Sequence, residues 1–253
     1  MTVEIHDNLA LRPAAGAPRI VISQPMLFPW VGMFEQIRLA DVYVHYTDVQ
    51  FSKGSFTNRV QIKTARGNQW LTVPLQGVFL GQDICDVKVN NAKDWRRGHL
   101  DFLAQAFAGA PYREDALDVA RRAYARSTDR LAEVVIASME AIMEYFGLDR
   151  GRRFLHSPEL RIGGSGSERV LNIVRQLGGN AYVTGHGARN YLDHQAFESA
   201  GISVEYMNYQ KSSYPQLHGA FTPYVSCLDL IANSGRNGAR YIHSGTLDWR
   251  QFK

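Results

Sequence analysis

The stretch from Arg19 to His45 constrains the fold more than any other part of the chain. Residues 19–23 (RIVIS) form a short β-branched run, and 24–29 make a loop bounded by Pro25 and Pro29. Residues 31–39 then place Met33, Phe34 and Ile37 at helical spacing, and 42–45 return to a strand pattern. Strand, loop, helix and strand in that order predict two parallel strands joined by a right-handed crossover.

The same alternation returns in the last third, with helices over 167–176, 190–199 and 224–233. Strands are expected there over 181–184, 203–206 and 241–243. In between, Arg66-Gly67-Asn68 joins two strand patterns, 60–64 and 69–73, into a hairpin, and a further strand is expected over 86–90. Residues 95–146 read as mostly helical, with Thr128 capping a helix whose stripe is Leu131, Val134, Val135, Met139, Ile142 and Phe146. The expected class is therefore α/β: a mixed, mainly parallel open sheet with flanking helices and a helical middle lobe over about 93–150. Residues 1–18, ending in PAAGAP, read as a loosely ordered leader to a single domain over 19–253.

Hydrophobic content of 45% and charged content of 21% suit a globular core. The formal charge of +4 is spread along the chain without basic runs, which argues against a nucleic-acid binder and suits small anionic partners. Cys85 and Cys227 are far apart and lack metal-type spacing, so neither a disulfide framework nor a metal site is expected. The most apolar window, 134–146, is interrupted by Glu140 and Glu144, and no signal peptide is visible. A cytoplasmic protein without membrane insertion is the expectation, and no cofactor motif is present.

Four segments could carry chemistry. The first, 23–34, lies where the first strand ends, the usual ligand position of open α/β sheets; Ser23 and Gln24 offer polar contacts and Trp30 a stacking face. A strand leading into such a loop resembles cytidylyltransferase-type enzymes, whose loop ends His-x-Gly-His. Only Gly32 matches, so the likeness supports topology and argues against that chemistry. The second segment, 48–63, carries Asp48 as a possible proton acceptor, with Lys53, Asn58, Arg59 and Lys63 as anion and carbonyl contacts. Glycines flank His186 in the third, too loosely for a phosphate loop. The fourth places Gln216 and His218 in a long loop, 207–223, and makes His218 the favoured histidine base. Cys227, among Val225, Leu228 and Ile231, reads as an inert core thiol.

Together these segments resemble the WbqC-like family. The residues that carry the resemblance are I-S-Q-P-x-x-F-P-W-x-G at 22–32, Ala40-Asp41, D-V-Q-F at 48–51 and Asn58-Arg59. W-L-T-V-P at 70–74, Y-P-Q at 214–216 and S-x-x-D-L at 226–230 complete it, over nearly the whole chain. Members lie in bacterial O-antigen and other surface-polysaccharide clusters. The resemblance implies an acyl or aminoacyl (glycine-type) transferase acting on an amino sugar or sugar nucleotide, and the mild positive charge suits a nucleotide sugar or an acyl carrier protein as partner. The resemblance supplies no catalytic set. In that reading Asp48 or His218 is the base, Gln24 and Asn58 are the oxyanion donors, and Arg59 with Lys63 is the clamp. A non-catalytic nucleotide-sugar or carrier-protein binding module would use the same residues without turnover.

Overall fold

A computed structural model describes residues 16–252; most of the leader, residues 1–15, lies outside them. The central sheet has six strands in the order β10-β9-β8-β1-β2-β7. These are β1 (Arg19–Ser23), β2 (Val42–His45), β7 (Arg153–His156), β8 (Ala181–Thr184), β9 (Ser203–Asn208) and β10 (Gly245–Asp248). All pairings are parallel except β9 with β10. The expected class, mainly parallel with flanking helices, is what the structure has.

β1 sits in the middle because its side chains are apolar on both faces, as a strand covered on both sides requires. Val21 and Tyr43 point into one core with Phe34 and Ile37 of α1 (Val31–Arg38). Ile20, Ile22, Val42 and Val44 point into the other, against α6 (Gly166–Gln176) and Phe197 of α7 (His194–Ser199). The helical lobe, α2 (Trp95–Ala106), α3 (Arg113–Tyr124) and α4 (Leu131–Phe146), covers the α1 face together with α8 (Cys227–Ser234). A hairpin of β3 (Arg59–Thr64) and β4 (Gly67–Thr72) follows β2, as the sequence predicts.

Several boundaries differ from the sequence pattern. The expected strand over 86–90 shrinks to β6 (Lys88–Val89), which pairs with β5 (Leu75–Gln76) and bridges to Arg130. The strand expected over 241–243 does not form: Tyr241 ends a 3₁₀ turn, Gly235–Tyr241, 242–243 are irregular, and the last strand is β10, the antiparallel edge. Edge strand β7 has only half-buried positions and no apolar alternation to announce it. Thr128 does not cap α4: the cap position is Arg130, whose N–H donates to the Thr128 hydroxyl. α8 starts at Cys227, later than expected, because Ser226 is its cap and accepts from Leu228 N–H at 3.2 Å.

The loop between β1 and α1 is locked from two sides. Phe28 is fully buried with φ of 36°, a backbone region that non-glycine residues rarely occupy. Its N–H donates to Ser138 Oγ on α4 at 2.9 Å, and its carbonyl accepts from Ser226 Oγ at 2.8 Å. Ser138 Oγ in turn donates to Val135 O at 2.7 Å. Ser138→Ala leaves the Phe28 N–H buried without an acceptor, and a loss of about 1–3 kcal/mol is expected in urea unfolding. Unchanged stability would show that the loop holds its shape without this bond.

Candidate functional site

Helix α1 leaves β1 for one face of the sheet, and α7 leaves β8 for the other. Diverging connections between adjacent parallel strands open a crevice at their C-terminal ends, the usual ligand position in such sheets. A cleft of about 770 Å³ lies there. Ser23 and Gln24 at the end of β1 and the Thr184–Gly187 turn after β8 reach it, Tyr46 enters from beyond β2, and Tyr209 from beyond β9.

One wall is aromatic. The Trp30 ring meets Tyr209 at 4.8 Å and Tyr224 at 5.8 Å, both edge to face, and Lys211 Nζ lies 5.5 Å from the Tyr224 ring. The indole also lies across the start of α1: a Cβ at Gly32 would fall 2.0 Å from Trp30 Cζ3. Glycine at 32 therefore serves the indole's seat. Gly187, in contrast, has no atom within 4 Å of its would-be Cβ and no positive φ. A side chain there would meet only the open cleft.

Among the described residues no carboxylate lines the cleft, and its ammonium is that of Lys211. The lining therefore favours an anionic ligand with a flat or ring-shaped part. His186 also lines it, its ring against Phe252 at 4.6 Å. Its Nε2 lies 3.1 Å from the carbonyl of Met207. A carbonyl can only accept, so Nε2 carries a proton, and in the neutral tautomer that this bond selects the lone pair is on Nδ1.

Of the residues singled out from the sequence, Ser23, Gln24 and Trp30 meet in this cleft. Asp48 stands behind it, held by Arg169 and by the Ser157 hydroxyl rather than by Arg59. Arg169 also donates to the carbonyl of Asp48 at 2.9 Å, and its guanidinium lies 5.1 Å from the Tyr46 ring that lines the cleft. The second segment touches the first through Leu27 N–H and Phe56 O at 3.1 Å, and Val49 lines the cleft.

The remaining candidates lie elsewhere. Arg59 bonds the carbonyl of Gly54 and stacks 4.2 Å over Trp70, and Lys53 is exposed on the turn before it. Asn58 is buried, its amide on Val73 O at 3.1 Å. Lys63 is buried too, its ammonium donating to Gln216 Oε1 at 3.0 Å, Gly219 O at 3.1 Å and Ala220 O at 2.6 Å. Lys63 and Gln216 thereby fasten the long loop. His218 opens on a separate pocket of about 320 Å³, its Nε2 on Ala106 O at 2.8 Å. The sequence pattern favours His218 as a base, whereas the histidine at the cleft is His186; its flanking glycines after a strand were the available signal. Tyr46, Tyr209 and Lys211 carried none, being ordinary residues on strand exits.

Two buried acids complete the electrostatics. Asp229 of α8 is 2% exposed, and burial pushes it up to about 6, partly offset by the Tyr214 hydroxyl and Lys63. Glu35 of α1 is fully buried, and neither of its oxygens has a hydrogen-bond partner. Burial pushes it up to about 8; Ser244, Arg38 and the His243 backbone lie close enough to offset only part of that cost. Cys227 is fully buried, and burial raises its thiol well above the ordinary range. Away from the cleft, Asp83, Cys85 and Asp86 bring their donor atoms within 4.8 Å of one another. Part-exposed acids cluster this way without an ion, and the group carries no assignment.

The WbqC-like protein family model matches residues 24–241. An uncharacterized protein of Mycobacterium tuberculosis, Rv1507c, is 31% identical over 228 residues, covering 88% of this chain and 97% of that one. No solved structure matches the chain.

Two outcomes follow from this geometry. Gly32→Ala should lower stability by about 1–3 kcal/mol and shift the Trp30 emission, whereas Gly187→Ala should unfold within about 0.5 kcal/mol of wild type. Equal effects of the two would contradict the seat described for Trp30. Glu35 has a folded pKa raised above its unfolded value, so its stabilising share is complete in acid and is lost as pH rises through about 8. Unfolding free energies measured from pH 5 to 9 should fall more steeply for wild type than for Glu35→Gln, and parallel curves would contradict the assignment.

Proposed function

The chain belongs to the WbqC-like protein family, and on that premise we propose that it transfers an acyl or aminoacyl group, of the glycine type, to the amine of a sugar nucleotide held in the switch-point cleft. The observation that carries this reading is the pairing of an aromatic wall, Trp30 with Tyr209 and Tyr224, with a lining that has Lys211 and, among the described residues, no carboxylate. An aromatic face takes a sugar or base, and a cationic mouth tolerates a diphosphate. The setting is a bacterial surface-polysaccharide pathway, and the cytoplasm is where activated sugars are made. An acyl carrier protein is the proposed source of the activated acyl group.

His186 is the proposed base. Its Nε2–H is fixed on Met207 O, so Nδ1 is free to take the proton that the amine loses as its nitrogen attacks the acyl carbonyl. The tetrahedral oxyanion then collapses, the bond to the carrier sulfur breaks, and the thiolate leaves. Gln24 is the proposed oxyanion donor, since its amide lines the cleft. Asp48 is a positioning residue here, acting through Arg169 on Tyr46.

One observation favours a binding module without turnover instead: among the described residues no carboxylate lines the cleft to orient His186. Both readings are tested by incubating the full chain with an amino-sugar nucleotide and acyl or glycyl thioester donors, and following the sugar by mass spectrometry. Transfer predicts a mass gain of one acyl residue, lost by about 100-fold or more in His186→Ala with sugar-nucleotide affinity kept. Binding of the sugar nucleotide with no product from any donor supports the module.

A further inference from the structure

Helix α1 buries Val31, Met33, Phe34 and Ile37 in the core, as its apolar stripe requires. It also buries Gln36, which is only 6% exposed. Gln36 lines the cleft, and its Oε1 would lie 3.8 Å from a Cβ at Gly185, which seats the carboxamide beside the turn after β8. Among the described residues that carboxamide has no hydrogen-bond partner, unlike the buried amide of Asn58 on Val73 O or that of Asn233 on Asp229 O. Among the described residues the other buried carboxamides are thus satisfied by the protein, and this one faces the cleft. A carboxamide that a largely buried residue presents to a cleft without a protein partner keeps its donors and acceptor for a ligand.

We propose that Gln36 is a specificity residue of the cleft, whose carboxamide pairs with an amide edge of the ligand, a carbonyl beside an N–H. A carboxamide presents one acceptor and donors side by side, so its best partner offers the reverse pair. Two parts of a sugar nucleotide carry that pair, the acylamino group of an amino sugar and the hydrogen-bonding edge of a nucleobase. Gln36 lines the same cleft as the aromatic wall that would hold a ring and lies beside the Gly185–Gly187 turn. This inference rests on the reading that the cleft holds the ligand, and adds which group on the ligand Gln36 recognises.

The test is calorimetric titration of the full chain and of Gln36→Met with UDP-N-acetylglucosamine, UDP-glucose and UDP. Met keeps the length of the side chain and removes both polar ends. A loss of about tenfold or more confined to UDP-N-acetylglucosamine places the sugar's amide on Gln36, and a similar loss for all three places the base edge there. Equal affinities of the two proteins for each probe that binds would overturn the proposal. Should wild type bind none of the three, the nucleotide-sugar reading fails, and the ligand-free melting temperatures decide on Gln36. An unpaired amide kept for a ligand predicts that Gln36→Met melts at or above wild type. A drop of several degrees would show that the amide serves the fold, and the proposal would be wrong.

Discussion

The cleft depends on one strained residue held by two hydroxyls. Phe28 turns the chain at φ of 36° between β1 and α1, and its N–H and carbonyl are taken by Ser138 of α4 and Ser226 at the cap of α8. Left-handed backbone at a bulky residue costs on the order of 1–3 kcal/mol and persists only where the surroundings over-determine it. Here they do, because Pro29 O also accepts from Cys227 N–H at 2.8 Å, and Leu27 N–H is tied to Phe56 O. The helical lobe, α8 and the second loop thus converge on the one turn that aims Trp30 across Gly32 and sets Gln24 and Gln36 at the sheet's switch point.

The polar residues that mark this chain fall into two physical groups. Tyr214, Gln216, Lys63 and Asp229 form a buried cluster beneath the 207–223 loop, with Gln216 donating to the Tyr214 hydroxyl at 2.9 Å and to Thr222 O at 3.0 Å. An ammonium with three acceptors is satisfied internally and has little left for a ligand. That loop carries Tyr209 and Lys211 to the aromatic wall, so the cluster serves the site by fastening the loop. Ser23, Gln24, Gln36 and the Gly185–Gly187 turn form the other group, lining space rather than filling it.

Much of the fold was legible because its central strands are apolar on both faces and its helices keep a clear period. β1, β2, β8 and the hairpin fall within a residue or two of their patterns. The edge strands were not, since β7 and β10 are half-buried and owe their pairing to neighbours rather than to alternation. Of the polar and aromatic residues singled out, Ser23, Gln24 and Trp30 in the segment after β1 reach the cleft. Dense charge at 53–63 reads as a binding loop, yet Arg59 spends its guanidinium on Gly54 and Trp70. Gln36 was invisible in the sequence, as one polar residue in a helical stripe looks like its solvent face. Its carboxamide lies beside Gly185, just past β8, which is distant in sequence and brought near only by the sheet.

That the ligand occupies the β1/β8 crevice is tested most directly by photo-crosslinking with an azido-uridine nucleotide sugar, followed by peptide mapping. The account predicts label on Trp30, Tyr46, Tyr191, Tyr209 or their immediate neighbours, competed away by unlabelled nucleotide sugar. Competable label on Lys53, Arg59 or the His218 pocket, with none at the crevice, would contradict it.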